Sequence, residues 1–224
     1  EYMTITPAVP WLRRGTGRSP AEGGCILQVI DWIDRNRWTD EPSCVHPVLA
    51  EIAIRANDQL DDDDRQQLLD LVPRLMGTAI QDKALSVGLA VFCARTVLPL
   101  FEARYPTDLR PRKAVEAAQE WLAQPDAARA FAASRGDAAT HASGAADAAA
   151  ASDAADASGA ADAATYAAYA AASGVARADA YATRAASDAT RAAFGASYEL
   201  LIACLDEYDR LAGRDKTAAI AWAP

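Results

Sequence analysis

The chain has few of the residues from which catalytic and metal sites are usually built. It contains two histidines, four cysteines and two methionines among 224 residues. It has no phosphate-binding glycine loop, no GxGxxG, no GxSxG and no HExxH motif. These absences exclude the enzyme classes that such motifs define and leave little material for a histidine-based metal centre. We expect neither a cofactor nor a metal.

Basic residues are too few and too scattered for a nucleic-acid surface. Lysine and arginine number 22 against 31 aspartates and glutamates, which gives a net charge of −9 and a pI near 4.7. Such a protein repels a phosphate backbone, so nucleic acid is not an expected partner. No basic segment followed by an apolar run opens the chain, and no apolar stretch lasts eighteen residues without a charge. We expect a soluble, cytoplasmic protein without a membrane partner.

The four cysteines show no CxxC spacing, and three of them lie among apolar residues. This pattern favours reduced cysteines that act as small core residues. A zinc site using Cys44 and His46 would need a second ligand pair, and the sequence shows none.

What the chain does have is alanine, concentrated between residues 137 and 194. If residues 137–194 are placed on a helix at about 100° per residue, one side of that helix is almost entirely alanine. The small alanine side chain lets the backbone of a second helix approach closely. The larger side chains return to the opposite face of the same helix: His141, Tyr166, Tyr169, Ser173, Arg177, Arg184 and Arg191.

An internal repeat divides this alanine region. The heptapeptide SGAADAA occurs at 143–149 and again at 158–164, and a degenerate copy starts at Ser173-Gly174. One unbroken helix would be about 87 Å long at about 1.5 Å per residue, far more than a compact domain of this size. We therefore predict a break at one or more Ser-Gly positions. The larger side chains stay on the same helical face across these positions, which favours one continuous helix instead.

The rest of the chain also predicts helices, and no segment predicts a strand. Helices are expected at 25–36, from Pro47 with His46 as N-cap, after the acidic run 61–64, and at 80–101, 113–122 and 197–211. The predicted fold is all-α, a compact helical bundle of about seven to nine helices. Its parts would be an irregular arm (1–24), an N-terminal helical module (25–124), closely packed alanine-rich helices (125–196), and a C-terminal helix and tail docked on the module (197–224).

Three groups of residues are candidates for chemistry. The loop 38–46 holds Trp38 and His46; His46 can serve as a helix cap or as a general base near neutrality. The cluster around Asp62 and Arg65 can cap a helix in solvent or handle an amine proton. The arginines of the polar face can bind a carboxylate or sulfate, or they can pair with Asp179 and Asp188 along the helix.

One stretch of the N-terminal module resembles a family of helical bacterial and phage proteins, found mainly in high-GC actinobacteria, that join such a module to an alanine-rich tail. The resemblance fixes no chemistry and covers about a third of the chain. The residues that carry it are GCIL at 24–27, WTDEPSCVHPVL at 38–49, NDQL at 57–60, Arg65 and VPRLMGT at 72–78.

The chain is also similar to the aziridine-forming cyclase of azinomycin-type natural-product pathways, which closes a three-membered ring by displacing sulfate. This resemblance implies an amine nucleophile, a base for its proton and cations for the departing sulfate. It implies Asp62 or His46 as the base and His141 as a second titratable group. Arg65 and Arg177 would hold the anion, and Trp38 and Tyr166 would contact the substrate.

Two functions follow as hypotheses. The first is a small-molecule enzyme of natural-product metabolism, most specifically this cyclisation, with a substrate that is free or bound to a carrier protein. The alternative is a non-catalytic helical binding or scaffold protein that dimerises through an alanine-lined surface.

Overall fold

The computed structural model describes residues 10–80, 82–124, 139, 142–146, 155–173, 175–193 and 195–214. Within these ranges the chain forms nine α-helices and no strand, which confirms the predicted all-α class. A single isolated bridge between Leu12 and Gly24 ties residues 10–24 into one loop, and Leu12 is fully buried.

The helices are α1 (Ile26–Arg35), α2 (Pro47–Gln59), α3 (Asp62–Arg65), α4 (Val72–Leu75), α5 (Lys83–Arg104), α6 (Arg110–Ala123), α7 (Ala155–Ala172), α8 (Val175–Ala192) and α9 (Ser197–Ala212). A 3-10 segment, Gln66–Leu71, links α3 to α4. Residues 142–146 are also helical.

Polar side chains start three of these helices. His46 caps α2 by accepting a hydrogen bond from the Val48 amide on Nδ1, and Pro47 follows it as the first helical residue, as predicted. Asp61 caps α3 and Asp82 caps α5 in the same way. These caps satisfy amides that have no partner within their own helix.

Helix α5 lies at the centre of the bundle and packs on α6, α7, α8 and α9. It is the one helix among the described residues that is long and apolar enough to cross a membrane, but 67% of the qualifying window is buried inside the protein. Its apolar surface is therefore largely covered by neighbouring helices, as in the core helix of a soluble protein.

Helices α7 and α8 form an antiparallel hairpin. The break between them falls after Ala172, at the third Ser-Gly copy, and the Nζ atom of Lys83 donates to the carbonyls of Ala171 (2.9 Å) and Ser173 (2.6 Å) there. A cation that binds the last carbonyls stabilises a helix end. The predicted break is confirmed at this copy, whereas the helix continues through Ser143-Gly144 and Ser158-Gly159.

Alanine packing holds the hairpin against the module. Every α7 alanine from Ala160 to Ala171 is at most 1% exposed, and α7 packs on α5, α6 and α8. A side chain at Gly159 would come within 3.1 Å of the Asp188 carbonyl and 3.2 Å of the Ala192 methyl group. The small residues therefore permit the close backbone approach that the sequence predicts.

The last helix docks as predicted. Helix α9 packs on α2 and α5 and buries Leu200, Leu201 and Tyr208. Its Cys204 lies with Sγ 3.4 Å from Sγ of Cys93 on α5, and both thiols are buried and unoxidised. The tail beyond residue 214, with Ile220 and Trp222, lies outside the described residues.

Candidate functional site

The polar face of the alanine region folds back on itself. The polar residues keep the same angular position around the helix axis on both sides of the break. When α7 and α8 pack antiparallel, the polar residues of the two helices therefore meet along one line. Arg191 lies 3.0 Å from Asp162, the Arg184 guanidinium carbon lies 5.6 Å from the centre of the Tyr166 ring, and the rings of Tyr169 and Tyr181 are 5.5 Å apart. These six residues form a seam along the outer surface of α7 and α8, which we call the polar seam.

A cleft of about 380 Å³ opens beside the polar seam, between α2 and α8. Arg55 and Gln59 of α2 form one wall, and four residues of α8 form the other: Arg184, Ser187, Asp188 and Arg191. We call it the arginine cleft. Its lining carries three arginines and one aspartate, in a protein whose net charge is −9. The lining alone therefore carries more positive than negative charge, although Glu51 and Asp162 beside it pair with two of the arginines.

The three arginines are about half exposed and already have carboxylate or hydroxyl partners. Arg55 contacts Glu51 at 2.9 Å and Ser187 Oγ at 3.1 Å. Arg191 bridges Asp162 and Asp188, at 3.0 Å each. These contacts fix the direction of the guanidinium groups. The three arginine side chains nevertheless remain 50–57% exposed.

Asp188 is the unusual residue of the cleft, because its side chain is only 3% exposed. Its Oδ1 accepts from Arg191, while Oδ2 lies 3.3 Å from Arg184 Nε without the geometry of a hydrogen bond and is left without a hydrogen-bond partner within the described part of the chain. Burial raises the pKa of the Asp188 carboxyl and Asp162 raises it further, and together these outweigh the lowering by Arg184 and Arg191. A buried titratable group with a displaced pKa in a cleft is a marker of functional sites.

This arrangement supports two kinds of chemistry. Guanidinium groups on facing walls can hold a sulfate, phosphate or carboxylate through charge-assisted hydrogen bonds. Asp188 Oδ2 is buried and has no hydrogen-bond partner among the described residues, so it could accept a proton from an amine or hydroxyl that reaches it.

His46 has a different environment from the one a base needs. It is 1% exposed, its Nδ1 accepts from Val48, its Nε2 lies 3.3 Å from Ser86 Oγ, and its ring contacts Tyr208. Since Nδ1 is an acceptor, the neutral ring carries its proton on Nε2 and presents no basic nitrogen to a ligand. The capping role predicted for His46 is confirmed, and its contacts oppose the predicted role as base.

Asp62 and Arg65 pair with each other, Arg65 Nη1 lying 2.5 Å from Asp62 Oδ1. The Arg65 side chain is 2% exposed and also donates to the carbonyls of Asn57 and Leu60. It therefore joins the end of α2 to α3 and is not exposed to an anion, contrary to the prediction. The Asp62 carboxylate is 85% exposed, so it lacks the enclosure that a general base needs.

The remaining predicted site residues fall in separate places. Trp38 donates from Nε1 to the Gly17 carbonyl at 2.8 Å and packs at the edge of the core. Tyr166 lies in the polar seam, whereas Arg177 is exposed near the start of α8 and no described partner pairs with it. His141 lies outside the described residues.

Among the described side chains, no three or more His, Cys, Asp or Glu residues lie close enough together to hold a metal ion. Cys44 is only partly exposed, and burial raises the pKa of its thiol to about 11, so it stays protonated and binds a metal poorly. Both nitrogens of His46 have polar neighbours within the protein, so Cys44 and His46 are poorly placed to act together as zinc ligands.

A larger groove, of about 790 Å³, lies between α5, α6 and α9. Its walls combine apolar side chains such as Phe92 and Leu211 with Arg210, whose guanidinium already contacts both carboxylate oxygens of Glu207. It holds no buried titratable carboxylate, so its size alone does not make it the better candidate.

The sequence predicts half of the lining of the arginine cleft. Arg184, Arg191 and their pairing with Asp188 follow from helical spacing, and the structure confirms these pairs. Arg55 could not be placed there, because its approach depends on how α2 packs on α8. The burial of Asp188 was missed for the same reason.

Comparison with protein-family models, with curated proteins and with solved structures gave no match. The candidate site therefore rests on the geometry described above.

Proposed function

We propose that the protein binds a small anionic molecule in the arginine cleft and that Asp188 accepts a proton from it. The observation that carries this proposal is the buried Asp188 carboxylate, with an unbonded Oδ2, between Arg184 and Arg191 in a cleft of about 380 Å³. A cavity of this size accommodates a small metabolite.

The most specific form of the proposal is the cyclisation expected from the sequence resemblance. An amine nitrogen would attack a carbon that carries a sulfate ester, forming a C–N bond as the C–O bond breaks. The electron pair of the broken bond leaves with sulfate, and the amine proton passes to Asp188. Arg55, Arg184 and Arg191 would bind the sulfate as its charge develops.

This assignment replaces the site predicted from sequence. Asp188 takes the role given to Asp62 and His46, and the cleft arginines take the role given to Arg65 and Arg177. The half-exposed guanidinium groups of the cleft would offer an acidic or carrier-bound substrate a favourable contact in a protein whose net charge of −9 repels it elsewhere. A natural-product pathway in the cytoplasm is the proposed setting.

One observation favours the non-catalytic alternative. Each cleft arginine already contacts a carboxylate of the protein, namely Glu51, Asp162 or Asp188. Such pairs can serve only to hold α2, α7 and α8 together, as a binding or scaffold protein would need.

Binding of sodium sulfate, measured by calorimetry, tests the cleft. We expect Arg184→Gln to weaken binding about tenfold or more, the loss of about 1.5–3 kcal/mol expected for a hydrogen bond to a charged group. Arg112→Gln is the matched control, because Arg112 is 48% exposed and pairs with Glu102 on another face. No sulfate binding, or equal binding by Arg184→Gln, would refute the proposal.

Sulfate release from 2-aminoethyl sulfate then separates enzyme from binding protein. The wild type should release sulfate faster than buffer does, and Asp188→Asn should lower the rate about tenfold or more while still binding sulfate. Binding without release would favour the scaffold alternative, and full activity in Asp188→Asn would exclude that residue as the base.

A further inference from the structure

Three tyrosines stand together on the polar seam, directly beside the arginine cleft. The ring centres of Tyr166, Tyr169 and Tyr181 are 5.5–6.3 Å apart, and Tyr166 and Tyr181 are stacked at 25°. All three side chains are partly exposed. Their hydroxyl groups make no hydrogen bond to any described residue, so both rings and hydroxyls can meet a ligand.

Arg184 joins this tyrosine cluster to the cleft. Its guanidinium lies over the Tyr166 ring at 5.6 Å and its Nε lies 3.3 Å from Asp188 Oδ2. An anion bound by Arg184 would therefore lie next to the tyrosine rings. A cation that stacks on an aromatic ring is also held in a fixed plane, which favours directed binding of an anion.

The composition of the hairpin makes the cluster stand out. The buried faces of α7 and α8 consist mainly of alanine, with Ser158, Thr165, Asp188 and Thr190 also buried. The described aromatic residues of the two helices are these three tyrosines. Each tyrosine packs partly against the core, and the rest of its side chain remains exposed on the outer side of the hairpin. An aromatic ligand would cover that exposed ring surface.

We propose that Tyr166, Tyr169 and Tyr181 bind the aromatic body of the ligand whose anionic group lies in the arginine cleft. The substrate class is then an aromatic molecule that carries a sulfate, sulfonate or carboxylate. This inference rests on the proposed function, since it assumes that the cleft binds the anionic group.

Benzenesulfonate and methanesulfonate form a matched pair of probes, because they share the anionic group and differ in the ring. We expect the wild type to bind benzenesulfonate about tenfold more tightly, because both stacking on the tyrosine rings and burial of the apolar ring favour the aromatic probe. Calorimetry measures both affinities.

Tyr169→Leu keeps the apolar bulk and removes the ring, so it should abolish most of this preference and leave methanesulfonate binding unchanged. Tyr198→Leu is the control, because Tyr198 is equally packed on the core but lies on α9, where it makes no ring contact with the cluster among the described residues. The preference should persist in this variant. If Tyr169→Leu does not fold, as judged by its melting, Tyr181→Leu tests the same expectation.

The two proposals fail in different ways. The aromatic inference is wrong if the wild type binds both probes equally, or if the preference survives in Tyr169→Leu and Tyr181→Leu. In either case the proposed anion site still stands if Arg184→Gln weakens methanesulfonate binding. If the wild type binds neither benzenesulfonate nor methanesulfonate, both proposals are wrong.

Discussion

At the scale of the residue, Asp188 combines features that rarely occur together. It is buried and lines a cleft, it stands between two arginines, and yet one of its oxygens has no hydrogen-bond partner among the described residues. Arg65 is equally buried, but it donates to two carbonyls and to Asp62. The difference separates a side chain that holds the fold together from one that can still interact with a ligand.

The pKa of Asp188 gives a test that needs no ligand. Burial raises this pKa above its ordinary value of 3.8, so the folded protein holds the proton more tightly than the unfolded chain does. The contribution of Asp188 to stability is therefore fully present below pH 3.8 and is lost as the pH rises through the folded-state pKa. Arg184 and Arg191 reduce this effect, and Asp162 adds to it.

We predict that wild type loses stability relative to Asp188→Asn as the pH rises from about 3 to about 7. Denaturant unfolding of both proteins across this range measures the difference in free energy of unfolding. A difference that grows with pH in favour of the wild type would show that the arginines outweigh burial, and Asp188 would then be an ordinary ion-pair carboxylate.

At the scale of the element, the hairpin depends on alanine side chains. Ala164 is fully buried in α7, where that helix meets α5, α6 and α8. We predict that Ala164→Leu overpacks this site and lowers the free energy of unfolding by about 1–3 kcal/mol. Thermal or denaturant unfolding provides the measurement.

Ala180 offers a matched control, because it lies on α8 and is exposed. Leucine at this position should change stability by no more than about 0.5 kcal/mol. Equal stability of the two variants would mean that α7 is less closely packed than the structure indicates. By helical spacing, the sequence predicts Ala157→Leu to overpack the alanine face as Ala164→Leu does, but the Ala157 side chain lies outside the described part of the protein.

Most elements could be predicted from sequence because their signals are local. Proline after His46, the acidic run at 61–64 and the apolar run of α5 each specify a start or a buried helix. The sequence predicts that a Ser-Gly pair breaks the helix but not which pair does so. The helix runs without a break through Ser158-Gly159, where the absence of a side chain on Gly159 allows α8 to approach. Lys83, which binds the carbonyls at the true break, is about ninety positions away in sequence.

The candidate site was less predictable for a related reason. Helical spacing places Tyr166 and Arg184 on one stripe, but only the fold-back brings them into contact across the seam. His46 and Asp62 looked suitable because their side chains can titrate, and local sequence does not reveal that a backbone amide or Arg65 already engages them.

At the scale of the whole molecule, the proposed function depends on where positive charge is exposed. The protein carries an excess of nine negative charges, yet three arginines from two helices meet at one cleft. An anion should therefore select this cleft over the rest of the surface.

The most direct test is to follow the arginine side-chain Nε–H signals of ¹⁵N-labelled protein by NMR during titration with sodium sulfate. We expect saturable shifts for Arg55, Arg184 and Arg191, with little change for Arg112, which is similarly exposed. Saturable shifts at Arg65 or Arg177 with an unchanged cleft, or a uniform linear drift of all exposed arginines, would contradict the proposed function.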